Sequence, residues 1–209
     1  MPTRRRAVLI LATLMLLALA SFWAALAVGS IAVAPGDIIA GLLGREAPGA
    51  DIINELRLPR ALAGFACGGL LALAGALMQV LLRNPLADPY ILGISGGAGV
   101  GASFAILIGL PALGIDGLAF AGALGSMLLV FGLAHGDGSW TQTRLLLTGV
   151  IVAAGCGALV ALMLAIAPED RLRGMLFWLM GDLAQAGSAW PPLVVLAAAL
   201  VLAMPFARE

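Results

Sequence analysis

Ala7–Ala34 reads A-V-L-I-L-A-T-L-M-L-L-A-L-A-S-F-W-A-A-L-A-V-G-S-I-A-V-A, 28 residues without a charge. A helix needs about 20 mainly apolar residues to cross about 30 Å of hydrocarbon. This stretch is therefore long enough to span a bilayer. It is also longer than the apolar region of a secretion signal, about 7–15 residues. Arg4, Arg5 and Arg6 precede it, so a retained first span with a cytoplasmic N-terminus is expected.

Five further uncharged runs follow: Ala61–Leu82, Ile91–Ile115, Gly117–Ala134, Leu145–Pro168 and Leu183–Ala207. They show little helical periodicity because they are apolar on nearly all sides, as buried or lipid-facing helices are. The expected architecture is all-α: a polytopic transmembrane helix bundle forming one domain over residues 1–209. Its six spans lie near 7–34, 61–82, 91–115, 117–134, 145–168 and 190–207, with both termini inside. Loops 35–60, 115–117 and 168–182 then face outside, and 83–90 and 135–144 face inside. Arg4, Arg5, Arg6, Arg83, Arg144 and Arg208 fall inside, against Arg45, Arg57, Arg60, Arg171 and Arg173 outside. Positive charge favours the inner side only weakly, so the outer arginines call for a functional reason.

Composition agrees with lipid as the solvent. Hydrophobic residues make up 62% of the chain and charged residues 11%, where a soluble domain carries about 25% charged residues. The net charge is zero and lysine is absent. That excludes nucleic-acid binding through a basic field, and a P-loop ATPase site, which needs a Lys on the phosphates. Cys67 and Cys156 sit in apolar runs and read as small buried hydrophobes, with no metal site.

Glycines at Gly64, Gly68, Gly93, Gly96, Gly97, Gly99, Gly101, Gly122 and Gly125 lie within the spans. Small residues at such spacings let helix backbones approach closely in lipid. The stretch Gly93–Gly101, G-I-S-G-G-A-G-V-G, is not a dinucleotide loop, since it lacks both the G-x-G-x-x-G spacing and a preceding strand. Ser95 sits in a G-x-S-G string like that of rhomboid-type intramembrane serine proteases, but such an enzyme needs a His base. The sole histidine, His135, falls in an expected inner loop.

Two polar clusters stand out. In Arg83–Tyr90, Pro85 and Pro89 stop and restart a helix, and Asn84 and Asp88 can satisfy the freed backbone groups. The cluster reads as a stiff turn, or as one that holds shape while neighbouring helices move. In Arg57-Leu58-Pro59-Arg60, two arginines three apart face the expected outer side. They read either as interfacial groups reaching lipid phosphate or as a dock for carboxylates. The spans hold no acidic residue or histidine of the kind a proton-driven pump buries.

Several blocks carry a family resemblance. They are Leu56–Arg60 (L-R-L-P-R), Gly68–Gln79, Asn84–Pro89 (N-P-L-A-D-P), Leu92–Gly101, Arg144–Val150 and Phe177–Gly181. From about residue 51 onward the chain resembles the FecCD-type permeases of type II ABC importers, which take up iron-siderophores, haem or cobalamin. The resemblance implies a homodimeric permease in the bacterial inner membrane. A periplasmic substrate-binding protein delivers cargo from outside, and separate cytoplasmic subunits bind the ATP, so this chain needs no cofactor and catalyses no covalent chemistry. It further implies docking of the binding protein at Arg57 and Arg60 and an inner turn at Asn84, Pro85, Asp88 and Pro89. Close packing or pathway roles fall to Gly93, Ser95, Gly96, Gly97 and Gly101, and a cytoplasmic gate to Gln142 and Thr143. The fifth span should line the pathway. Family members are longer and carry further spans and the coupling helices, so this chain corresponds to roughly their N-terminal two-thirds. An autonomous six-span transporter or channel and the intramembrane protease are the alternatives.

Overall fold

The computed structural model describes residues 4–135, 141–183 and 188–205. Among them every regular element is helical. In chain order these are α1 (Arg4–Ala27), α2 (Pro35–Leu42), a π-helical segment (Ile52–Arg57), α3 (Leu58–Leu81), a 3-10 turn (Pro89–Leu92), α4 (Ile94–Leu107), α5 (Ala112–Ala134), α6 (Gln142–Ile166), α7 (Glu169–Met180) and α8 (Trp190–Ala203).

Four helices are long and apolar enough to cross a membrane: Arg4–Ala27, the continuous Ile52–Leu81, Ala112–Ala134 and Gln142–Ile166. The last two match the expected spans closely, and α3 matches the expected span 61–82 within three residues. The remaining three expectations need correcting. The run 7–34 is helical only as far as Ala27. The run 91–115 contains the 14-residue α4 between left-handed glycines, Gly93 (φ 68°) and Gly109 (φ 79°). Gly109 N–H bonds Ile106 O at 3.0 Å and Leu110 N–H bonds Ala105 O at 2.9 Å. That is a Schellman ending, which stops a helix however apolar the next residues are. At 1.5 Å per residue α4 is about 21 Å long. The 14-residue α8 is equally short. It opens with Pro191 and Pro192 in its first turn, and Trp190 N–H donates to Ser188 Oγ at 3.4 Å. Residues 206 and 207, the expected end of that span, and Arg208 lie outside the described residues.

Two expected loops hold helices. Residues 35–60 contain α2, which starts on Pro35 with Asp37 in its first turn, both favourable at a helix N-terminus. They also contain the π segment, which runs into α3 without a break. Pro59 lies two residues beyond that segment. A proline ring clashes with the carbonyl four residues earlier, here that of Glu55. The wider turn, with Leu58 N–H bonded to Ile53 O, relieves the clash while the helix continues. Residues 168–182 hold α7, whose acidic Glu169 and Asp170 occupy its first turn.

The chain divides into two compact units, Met1–Leu70 with Leu183–Glu209, and Leu71–Asp182. In the first, Leu26, Ile38 and Ile53 are fully buried, joining α1, α2 and the π segment, and Leu196 of α8 packs at Gly69 of α3. Apart from Leu26, α1 has no buried residue. In the second, Met78, Leu82, Leu92, Val130, Leu145 and Val152 form the core. Helix α4 sits at its centre, against α5, α6 and α7.

Candidate functional site

Most of the residues singled out in the sequence fall into an arginine cleft in the first unit and a glycine seam with its adjoining turn in the second; Ser95, Gln142 and Thr143 lie outside both.

Arg57 and Arg60 line one cleft of about 480 Å³, together with Val28, Leu56, Ala61 and Gly64 among others. Arg57 is half-buried and Arg60 exposed. The Arg57 fork does not point at open solvent. Its Nη1 donates to Leu26 O at 2.7 Å and Ala27 O at 3.2 Å, and its Nη2 donates to Ile31 O. The last carbonyls of a helix have no partner within it and form the negative end of its dipole. A guanidinium there meets both needs. Gly29 makes room for it, since a Cβ at that position would lie 2.5 Å from Arg57 Nη2. Three residues earlier, Asn54 Nδ2 donates to Gly41 O at 3.1 Å, near the end of α2. Neither Gly29 nor Asn54 was singled out in the sequence. Gly29 lies inside the uncharged run 7–34, and only the structure, by ending α1 at Ala27, sets it apart.

The Arg83–Tyr90 turn is held by its own side chains. Asn84 Oδ1 accepts from Leu86 N–H at 2.9 Å and Asp88 Oδ1 from Tyr90 N–H at 2.8 Å. Arg83 takes φ 45°, uncommon for a residue with a side chain. Pro85 follows Asn84, and Pro89 opens the 3-10 turn. Ala87 and Leu92 are buried in the core of the second unit, which fixes the turn to α3 and α5.

The seam joins α4 to α5. Gly93, Gly97 and Gly101 recur every four residues along one face of the chain entering and forming α4. Leu118, Gly122 and Ser126 do so on α5, running the opposite way. A Cβ at Gly97 would strike Gly122 O, one at Gly101 would strike Leu118 O, and one at Gly122 would strike Gly97 O. Backbone therefore lies on backbone, as at small-residue interfaces in membranes. Ser126 Oγ donates to Gly93 O at 2.8 Å in a buried setting. Gly96 turns to the other side, where a Cβ would come within 2.9 Å of Cys156 Cβ on α6. Gly149 of α6 meets Ile91 O in the same close manner. Ser126 escaped notice in the sequence, although Gly122-x-x-x-Ser126 was a visible small-residue spacing, and Gly149 stood out only as part of the Arg144–Val150 block. Ser126→Ala removes one buried hydrogen bond and should cost about 1 kcal/mol. It should appear as a modest fall in the unfolding midpoint, and an unchanged midpoint would count against the bond.

Ser95 is exposed and takes no part in the seam. His135 ends α5 nine residues beyond Ser126, or about 13 Å along the helix, while Ser95 lies level with the Ser126 end. The Ser–His pair that a protease needs is not assembled. Gln142 and Thr143 lie exposed in the first turn of α6, whose N-cap, Thr141, accepts from Arg144 N–H at 3.3 Å.

The sequence pattern that defines the FecCD transport family matches residues 15–209. This chain belongs to that family. The FecCD chain is 39% identical over 165 residues to the cobalamin import system permease protein BtuC of Halobacterium salinarum, covering 76% of this chain and 43% of that one. It is 39% identical over 181 residues to the vitamin B12 import system permease protein BtuC of Salmonella newport, covering 85% and 53%. It thus spans about half the length of the curated relatives it matches. A solved structure described as an inward-facing conformation of a metal-chelate type ABC transporter is similar with a TM-score of 0.72 at 28% identity. The match covers 92% of the FecCD chain and 57% of that one.

Proposed function

We propose that this chain is part of the transmembrane permease subunit of an ATP-driven importer in the bacterial inner membrane, multi-pass and with its N-terminus in the cytoplasm. The observation that carries the reading is the family match over residues 15–209, on a chain with four helices long and apolar enough to cross a membrane among the described residues. Its cargo is a large metal chelate, an iron-siderophore, haem or cobalamin. Cobalamin comes first because the two relatives are a cobalamin and a vitamin B12 import permease. The permease works as a homodimer with cytoplasmic ATPase subunits that bind the ATP, and a periplasmic binding protein docks at the cleft of Arg57 and Arg60. The 3-10 turn Pro89–Leu92 extends α4, and short α8 makes a sixth crossing. The Asn84–Pro89 turn and the Gln142–Thr143 gate then face the cytoplasm, and α6 lines the pathway.

Orientation is tested with single cysteines on a background lacking Cys67 and Cys156. An impermeant maleimide should reach Glu46→Cys from outside and Leu86→Cys only from the cytoplasm; the reverse pattern overturns the topology. Docking is tested in a permease carrying this chain as its N-terminal part. Arg57→Glu with Arg60→Glu should weaken capture of the binding protein by about tenfold or more at low salt and less at high salt, because salt screens exposed charges. Capture unchanged at low ionic strength would remove the docking role.

A further inference from the structure

Arg57 and Arg60 line one cleft, but their surroundings differ. We propose that Arg57 is a positioning residue: its guanidinium fastens the C-terminal end of α1 to the helix that leads into α3, and so sets the cleft in which Arg60 presents its charge. The inference rests on the reading of that cleft as a dock for an acidic partner.

Three observations carry it. The Arg57 fork bridges carbonyls from two places, Leu26 and Ala27 in the last turn of α1 and Ile31 in the chain beyond it. It therefore holds the helix end and the following loop together. Gly29 lies against the guanidinium, with no space for a Cβ. Asn54, in the same π segment, fastens α2 in the same way through Gly41 O. The segment thus acts as a bracket for both preceding helices, above a core of Leu26, Ile38 and Ile53 that is fully buried. Bridging separated carbonyls needs the planar fork of arginine, which the compact ammonium of lysine does not reproduce.

The test is hydrogen exchange on the chain in lipid nanodiscs, with no partner added. Arg57→Lys, Arg57→Gln and Gly29→Ala should each raise exchange at residues 24–28 by at least tenfold, because each lets the last turn of α1, whose amides are bonded within the helix, fray once its carbonyls lose their charge-assisted bonds. Gly29→Ala leaves every charge in place and displaces the guanidinium only by bulk, so it answers for any Arg57 variant that fails to fold. A second readout is the binding of a fluorescent decaglutamate peptide, standing in for an acidic face, over a range of salt. Arg60→Gln should flatten the salt dependence, whereas Gly29→Ala should weaken binding and keep the slope. Exchange at wild-type level in both Gly29→Ala and Arg57→Gln overturns the positioning role. Failure of the peptide to bind any form, with exchange raised as expected, overturns the docking reading and leaves the bracket standing.

Discussion

Gly97→Leu is expected to break the packing of residues 71–182. The obstacle on α5 is a backbone carbonyl, Gly122 O, backed by Ser126 Cβ. A carbonyl cannot swing aside as a side chain can, so the whole helix must shift. Overpacking a well-filled core usually costs about 1–3 kcal/mol, and a clash with backbone belongs at the top of that range or above it. The shift would also pull Ser126 Oγ from Gly93 O and open the neighbouring contacts of Gly101 with Leu118. Gly125→Leu is the control, because nothing lies within 4 Å of a Cβ there. In detergent, Gly97→Leu should lose its monodisperse peak or unfold many degrees below wild type, while Gly125→Leu should behave as wild type does. Equal midpoints for the two would mean that α4 and α5 do not touch where the structure places them.

That seam was half legible in the sequence. The four-residue spacing of Gly93, Gly97 and Gly101 marks one side of a close contact, because spacing is local information. The partner, Leu118–Ser126, is a contact between distant segments, and only folding pairs them. The long spans were legible for the same reason: α5 and α6 end within a few residues of their apolar runs. The failures came where apolarity and helix length part company. A hydropathy run passes straight through Gly109, but a left-handed glycine ends α4 regardless of the leucine that follows. In the loop 168–182 the charges of Glu169, Asp170, Arg171 and Arg173 hid α7, although acids in a first turn favour a helix. Arg57 was legible as an outlier and not as a clasp. A sequence shows that a guanidinium is present, while its direction depends on which carbonyls the fold leaves unpaired nearby. By contrast, Asn84 and Asp88 act on amides two residues away, and their residue types were enough to foresee it.

Leu16→Arg is expected to reduce membrane insertion of α1 by about a hundredfold, and its sign separates lipid from water as the solvent. Leu16 lies near the middle of the 24-residue helix and is 67% exposed. In water, replacing an exposed leucine by arginine changes stability by less than about 0.5 kcal/mol. In hydrocarbon, arginine at a helix centre costs about 2.5–3.5 kcal/mol on insertion scales, and each 1.4 kcal/mol is about tenfold. Leu43→Arg supplies the comparison. Leu43 is 64% exposed but follows the short α2, in a stretch assigned to the aqueous side, so the same exchange there should be neutral. Leu128→Arg, at a 60% exposed position well inside α5, should repeat the α1 result. An insertion reporter fused after each helix measures all three. Insertion unchanged by Leu16→Arg and Leu128→Arg would mean that these leucines do not face hydrocarbon. The apolar surface of α1 would then need a protein partner to cover it. A loss confined to the two helix-centre positions leaves lipid as the cover, because Leu43 is equally exposed and differs only in its solvent.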